Sequence, residues 1–342
     1  VRARAAGVDR MMLDRPWQMR PALEAVGEED AEQPLNIQPT IEFAVWQAMV
    51  QRLASRQWIQ NLDIGPGMRC MLFGGSDGGL LVGWIVDEQL ASGQHIAYLG
   101  REARCTDLWG NPIDMTLTDQ QHRWELSKRP TFIENANVPL ARFRASLRLN
   151  PDFAESRYAI HRHALHLSNP WNVAITGQLR IKARSGWKVA PTISRFSIPA
   201  GGTHRIPLEL TFPISETAGE KQLTCHVTLQ ADKPYRLTAE VPLRIGIRQF
   251  EFTAEAQIES SDVIIRLHVT NRSGASQSLY TFVSAPPLPR QQQMIVQLND
   301  DQTVVKEFRF ANAAGVLTGR SVRVGVRQMD GPSMINRLVT VP

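Results

Sequence analysis

The sequence predicts a mainly β fold: three tandem antiparallel β-sandwich modules preceded by one amphipathic helix. Three observations predict it. From about residue 61 onward, apolar residues recur with a period of two in short runs broken by Gly, Pro, Asn and Asp, the pattern of half-buried strands joined by turns. The 342 residues suit two or three domains of about 100–200 residues each. The second half of the chain also echoes itself at an offset of about 100 residues. The content of 43% hydrophobic and 21% charged residues is that of packed globular domains rather than of a disordered chain.

In chain order, residues 1–36 are charged and aperiodic, with Glu28-Glu29-Asp30 in the middle, and read as a linker or the remnant of an upstream domain. The helix follows. Thr40 stands after Pro39 as a cap, and Ile41, Ala44, Val45, Ala48, Met49, Arg52 and Leu53 recur at helical spacing. They form an apolar stripe about 100° wide that requires burial. The cations Arg52 and Arg56 near its end do not make the basic polar face of a membrane-surface helix. Short strands are then expected at Met68–Phe73, Leu80–Val86, His95–Leu99, Ala103–Leu108, Met115–Leu117, His122–Leu126 and Thr131–Ile133, and this close spacing points to a sandwich or barrel. Helix and strands together make a first module at 37–149.

The remainder divides at the repeat. Leu165-His166-Leu167-Ser168-Asn169-Pro170 is echoed by Leu267-His268-Val269-Thr270-Asn271-Arg272. The stretch Phe196–Thr203 is echoed by Val296–Thr303, and Gly219 with Gln222–Gln230 by Gly319 with Val322–Gln328. The offset matches the size of an immunoglobulin-like sandwich, about 100 residues, and places modules at 150–247 and 248–342.

The candidates for chemistry are few. Gly74-Gly75-Ser76-Asp77-Gly78 fits the pattern of a nucleophile elbow, but that device needs a helix after the serine. Here the apolar strand Leu80–Val86 follows, so a hairpin loop is expected. His161, His163 and His166 cluster in one strand. On a strand the first two share a face and the third points away, whereas zinc ligands must converge, and an exposed sheet face rich in His and Arg is expected. Glu134 ends an apolar strand, yet glycosidic cleavage needs two carboxylates, and no strand–helix alternation supplies a barrel. No catalytic residue, metal ligand or cofactor-binding motif is therefore assigned. Among Trp58, Trp84, Trp109, Trp124, Trp171 and Trp187, Trp84 sits in a continuous apolar run and is expected in the core. Trp109, in a turn, and Trp171, just past a strand end, are the candidates for exposure and carbohydrate contact.

The net charge of +5 is spread thinly, without the basic stripe of a nucleic-acid footprint, so no nucleic-acid partner is expected. No run reaches the roughly 18 apolar residues of a membrane span. Cys70, Cys105 and Cys225 lack the spacing of a zinc site or disulfide scaffold. Cys70 and Cys105, in strand-like runs of one module, are either buried small residues or a single bridge.

Two resemblances rest on these motifs. Residues Thr40 to Ile133 resemble the end of clan A glycoside hydrolases, where a last barrel helix runs into a β-sandwich packed beside the barrel. The likeness is carried by the helix Ile41–Leu53, the exit through Trp58 and Leu62-Asp63-Ile64-Gly65, Val82-Gly83-Trp84, the turn Asp107-Leu108-Trp109-Gly110-Asn111-Pro112 and the ending Arg129-Pro130-Thr131-Phe132-Ile133. Residues of about 152–247 resemble the immunoglobulin-like module attached to alpha-galactosidases, through Leu167-Ser168-Asn169-Pro170, Gly177-Gln178-Leu179, Gly186-Trp187-Lys188-Val189 and Ile198-Pro199-Ala200-Gly201. The resemblance implies a non-catalytic C-terminal accessory region of a glycoside-hydrolase-like protein, with the catalytic barrel upstream of Val1 as partner, polysaccharide as a further contact, and a periplasmic or extracellular location. The competing reading is a tandem β-sandwich stalk of a surface adhesion or structural protein.

Overall fold

The computed structural model describes residues 6, 17–20, 36–39, 41–76, 78–118, 121–329 and 331–342. Thr40 and Asp77 lie outside the described residues, and with them the capping role expected of Thr40 and the acidic residue of the glycine loop; Glu28-Glu29-Asp30 lies outside them too. Within the segment read as linker, Trp17–Arg20 forms a strand that pairs antiparallel with Asn36–Pro39. The chain is mainly β and divides into two compact units. One consists of Val1–Ser146, Asn169–Val173 and Tyr235–Leu237, and the other of the remainder.

The first unit contains the predicted helix, Ile41–Leu53, and a six-stranded sheet. The sheet order is Arg56–Leu62, Met68–Gly75, Gly79–Ile85, Thr131–Ala136, Arg104–Thr106, Pro112–Ile113, with antiparallel neighbours throughout. A second sheet joins Gly93–Ala97, Gln121–Leu126 and Thr116–Thr118. Alternation in the large sheet sends Cys70, Leu72, Leu81 and Ile133 to one face, where Ala97, Trp124 and Leu126 of the small sheet meet them. Met71, Phe73, Leu80, Val82, Trp84 and Phe132 point the other way and pack with Leu53 and Met49 of the helix. The strand Gly79–Ile85 is buried at every position, which is why its sequence reads as an unbroken apolar run rather than an alternating one. Trp84 is in the core, as expected, and of the predicted helical stripe Ala48 and Leu53 are buried while Ala44 is exposed.

The strand Arg56–Leu62 begins three residues after the helix ends and was not expected. A second unpredicted element is the helix Val138–Ser146. Asn137 caps it by accepting the Leu140 N–H at 2.9 Å, and Pro139 sits in its first turn, where the missing N–H does no harm. Only Leu140 and Phe143 of its residues are buried, so its stripe is too short to stand out as a period.

Cys70, Cys105 and Cys225 are free and buried, which decides between the two readings of the first pair. Burial in the apolar core pushes the thiols of Cys70 and Cys225 up to about 12 and that of Cys105 up to about 11, so they persist as small apolar residues.

From residue 147 onward the chain repeats one topology. In 147–246 a four-stranded sheet runs Arg148–Asn150, His161–Ser168, Thr203–Thr211, Lys188–Ala190. Its partner sheet runs Ile193–Ile198, Ile175–Lys182, Gly219–Gln230, Pro234–Gly246, Phe153–Glu155. In 250–340 one sheet runs Phe250–Glu259, Asp262–Asn271, Thr303–Phe310, and the other Gln291–Leu298, Gln277–Ser284, Ser321–Gln328, Met334–Thr340. The last four strands follow the same order as the first four of the earlier partner sheet. His161–Ser168 and Asp262–Asn271 pair with strands that start at Thr203 and Thr303. The echoed asparagines do the same work in both. Asn169 accepts the Trp171 N–H at 2.9 Å and donates to the Val173 carbonyl at 2.8 Å. Asn271 accepts the Ser273 N–H at 3.0 Å and donates to the Ala275 carbonyl at 2.6 Å. Each amide folds the chain back on itself at a strand end, as an Asx turn does.

Gly83 shows how closely the first sandwich is packed. A Cβ there would lie 2.4 Å from the Trp124 ring. The ring cannot retreat freely, since its Nε1–H donates to Thr131 Oγ1 at 2.9 Å. Gly83→Ala is expected to destabilise the protein by about 1–3 kcal/mol, the usual penalty of overpacking. Gly315→Ala, where nothing lies within 4 Å, is the control. Urea denaturation midpoints for the two variants test this, and equal midpoints would refute the account.

Candidate functional site

Trp109 stands on a turn built to hold its shape. The turn joins Arg104–Thr106 to Pro112–Ile113 at one end of the six-stranded sheet's strand order. Asp107 organises it: one carboxylate oxygen accepts the N–H groups of Trp109 and Asn111, each at 2.8 Å, and the other accepts Asn111 Nδ2 at 2.9 Å. The backbone closes the loop through Asp107 N–H to the Asn111 carbonyl at 2.9 Å, and Gly110 takes φ +95°, a conformation that suits glycine. Burial opposes ionisation of Asp107, but the hydrogen bonds from the Asn111 side chain and from the Asn111, Trp109 and Gly110 amides outweigh it and hold the carboxyl below the usual range. Trp109 is 40% exposed on this platform. A Cβ at Gly110 would meet Arg52 Nη2 at 3.3 Å, so the turn also rests on the helix.

Arg52 accounts for Glu134. Its Nε lies 2.9 Å from Glu134 Oε1, its Nη2 donates to Thr106 Oγ1 at 3.2 Å, and its guanidinium sits 5.0 Å over the Phe132 ring. Glu134 therefore anchors the helix across the sheet. Ser76 lies between the antiparallel strands Met68–Gly75 and Gly79–Ile85, a hairpin connection as expected, and no helix follows it.

The structure separates the two tryptophans singled out for exposure. Trp171 is 6% exposed, which corrects the expectation that it lies open. Its ring meets Phe143 and Tyr235 at 5.7 Å each, because the Asn169 clamp turns the chain inward just past the strand. Trp58, not among the tryptophans expected at the surface, is 42% exposed. It lies in the strand Arg56–Leu62, at the opposite end of the same strand order. Its neighbours Gln57, Gln60 and Asn61 were the available signal. Trp124 and Trp187 are buried, and Trp187 Nε1 donates to Glu216 Oε2 at 2.7 Å, beside the ion pair of buried Lys221 with half-buried Glu216.

The histidine cluster splits as the strand period requires. His161 and His163 share one face, but that face is buried, with the two residues 8% and 6% exposed, so the expectation of an exposed face fails for them. His161 stacks on Phe212 at 4.6 Å and its Nε2 donates to the Arg157 carbonyl at 3.1 Å. His163 Nδ1 donates to the Pro151 carbonyl at 2.6 Å. His166 points away, between Arg148 and Arg205 of the neighbouring strands, where the His- and Arg-rich face does occur. Burial lowers the pKa of all three. Beside His161 and His163 opens a cleft of about 290 Å³, also lined by Phe153, Glu155, Arg157, Arg162 and Arg248. Among the described residues no three His, Cys, Asp or Glu side chains gather to hold a metal ion.

No family model matches the chain, and no curated protein matches it. Among solved structures it is similar to the calcium-binding domain CBD12 of CALX1.1, at 12% identity over 53% of this chain and 78% of that one, with a TM-score of 0.24. It is similar to red sea bream transglutaminase, at 11% identity over 54% of this chain and 29% of that one, TM-score 0.23. A third is SSP-19, an MSP-domain protein-like family member of Caenorhabditis elegans, at 13% identity over 29% of this chain and 99% of that one, TM-score 0.21.

The Trp109 turn carries a pH prediction. A carboxyl whose folded pKa is depressed stabilises its loop above the unfolded value of about 3.9 and loses that contribution as pH falls through the folded value. The Trp109 amide resonance is therefore expected to hold constant from neutral pH downward and to shift with a midpoint below about 3.9. A midpoint at or above that value in an NMR titration would count against the clamp.

Proposed function

We propose that this chain is a non-catalytic accessory region of a carbohydrate-active hydrolase, exported to the periplasm or cell exterior. In this reading 37–149 buttresses a catalytic barrel of the same protein. The sandwiches at 150–247 and 248–342 are spacers, and Trp109 is a glycan contact. The observation that carries it is the clamped turn 107–111, which holds a large indole 40% exposed between the last two strands of the six-stranded sheet. The apolar face of a sugar ring stacks on such a surface, and a pre-ordered turn loses little entropy on binding. The resemblance of the helix, the Asp107–Pro112 turn and the Arg129–Ile133 ending to the close of clan A glycoside hydrolases supports the hydrolase context.

Retention of the intact chain on insoluble polysaccharide columns tests the contact. Trp109→Ala is expected to weaken retention at least about tenfold, roughly 1.4 kcal/mol, while Trp58→Ala leaves it unchanged. Equal retention of Trp109→Ala and the unsubstituted chain removes Trp109 from the reading. Aryl glycosides are expected to show no turnover above the blank, and robust hydrolysis by this chain overturns the non-catalytic assignment.

A second reading has its own observation. The shared strand order of 147–246 and 250–340 is what a tandem stalk of a surface adhesion or structural protein requires. The coding sequence upstream of Val1 separates the two: strand–helix alternation with strand-end glutamates supports the hydrolase, and further repeats of about 100 residues support the stalk.

A further inference from the structure

The cleft beside His161 and His163 shares no lining residue with the Trp109 turn and has a chemistry of its own. Three guanidiniums line it, from Arg157, Arg162 and Arg248, against one carboxylate, Glu155. Arg157 leans on Glu155 at 3.4 Å and Arg162 on Glu209 at 3.5 Å. Arg248 lies 4.7 Å over the Phe153 ring, and among the described residues no carboxylate pairs with it. A cation stacked on a ring keeps its N–H edge open, the edge that grips a carboxylate or phosphate.

The second half of the chemistry is a buried orphan. His163 is 6% exposed. Its Nδ1 must carry the proton, because the partner at 2.6 Å is the Pro151 carbonyl oxygen. Burial keeps the ring neutral at neutral pH, so Nε2 is a lone-pair acceptor. That atom is screened from bulk water and has no hydrogen-bond partner. Buried polar atoms without partners are rare, and the residue that carries this one lines the cleft. A neutral ring nitrogen of this kind pairs with an O–H or N–H donor.

We infer that the cleft binds an acidic sugar, with a ring hydroxyl donated to His163 Nε2 and the acid group held by Arg248. The volume of about 290 Å³ stands at the small end of ligand sites, about 300–1,000 Å³, which limits the occupant to a single small ring. The acid group is a carboxylate or a phosphate ester, two forms of one oxyanion chemistry. The choice of a sugar as the hydroxyl-bearing part rests on the carbohydrate reading above, whereas the site itself does not.

Isothermal titration of the intact chain tests the assignment with four probes: glucuronic acid, glucose 6-phosphate, glucose and inorganic phosphate. At least one acidic sugar is expected to bind at least about tenfold more tightly than glucose or phosphate alone, and which one does so identifies the acid group. Arg248→Gln, at an exposed position, is expected to weaken that binding by about tenfold or more. His163→Phe keeps the ring and removes the acceptor, and is expected to weaken it similarly. Three results overturn the assignment: no binding of either acidic sugar, equal binding of glucose or phosphate alone, or full affinity in Arg248→Gln. Trp109→Ala leaves these titrations unchanged and Arg248→Gln leaves retention on neutral polysaccharide unchanged, so failure at one site is distinguishable from failure at the other.

Discussion

The first unit depends on a sheet that is apolar on both faces. Strand Gly79–Ile85 is buried at every position, and its neighbours send Cys70 and Leu72 one way and Met71 and Phe73 the other. Such a sheet needs two covers, because either bare face leaves a large apolar patch in water. The small sheet provides one through Trp124 and Leu126. The helix Ile41–Leu53 provides the other through Met49 and Leu53, and Arg52 locks it down by reaching across to Glu134 and Thr106. The same arginine lies beside the Trp109 turn, so the cover that completes the core also steadies the exposed indole.

A glycine beneath an aromatic ring recurs in each sandwich. Gly83 lies under Trp124, Gly177 under Phe196 and Gly325 under Phe282, with an added Cβ falling at 2.4, 2.6 and 2.3 Å from the respective ring. The last two pairs are direct cross-strand partners. There the ring covers the backbone that glycine leaves bare, a device that pins register. The Arg290 guanidinium, 3.9 Å over Phe282, caps the third.

The repeat in the residues after 147 was legible because its grammar is local. An alternating strand that ends in asparagine can be read from a few residues, and Asn169 and Asn271 prove to be equivalent turn clamps. The first-unit strands were legible for the same reason, and most fall within two residues of their expected bounds. The helix Val138–Ser146 was not, having two buried positions in nine residues. Nor was Trp58 visible as an exposed side chain, since exposure depends on which strand ends a sheet, and the period does not encode strand order.

By itself the sequence determined the class of fold, the alternation that puts His161 and His163 on one face and His166 on the other, and the hairpin around Ser76. Each of these follows from side-chain periodicity and turn chemistry over a few residues. Tertiary structure alone decided what meets those faces. It covered the His161–His163 face that looked exposed, turned Trp171 inward against Phe143 and Tyr235, and paired Glu134 with Arg52. It also left His163 Nε2 without a hydrogen-bond partner and set His163 among the residues that line an arginine-rich cleft. Period two states that a side chain points away from its neighbour, but burial and pairing belong to residues far along the chain, brought near only by the packing of whole sheets.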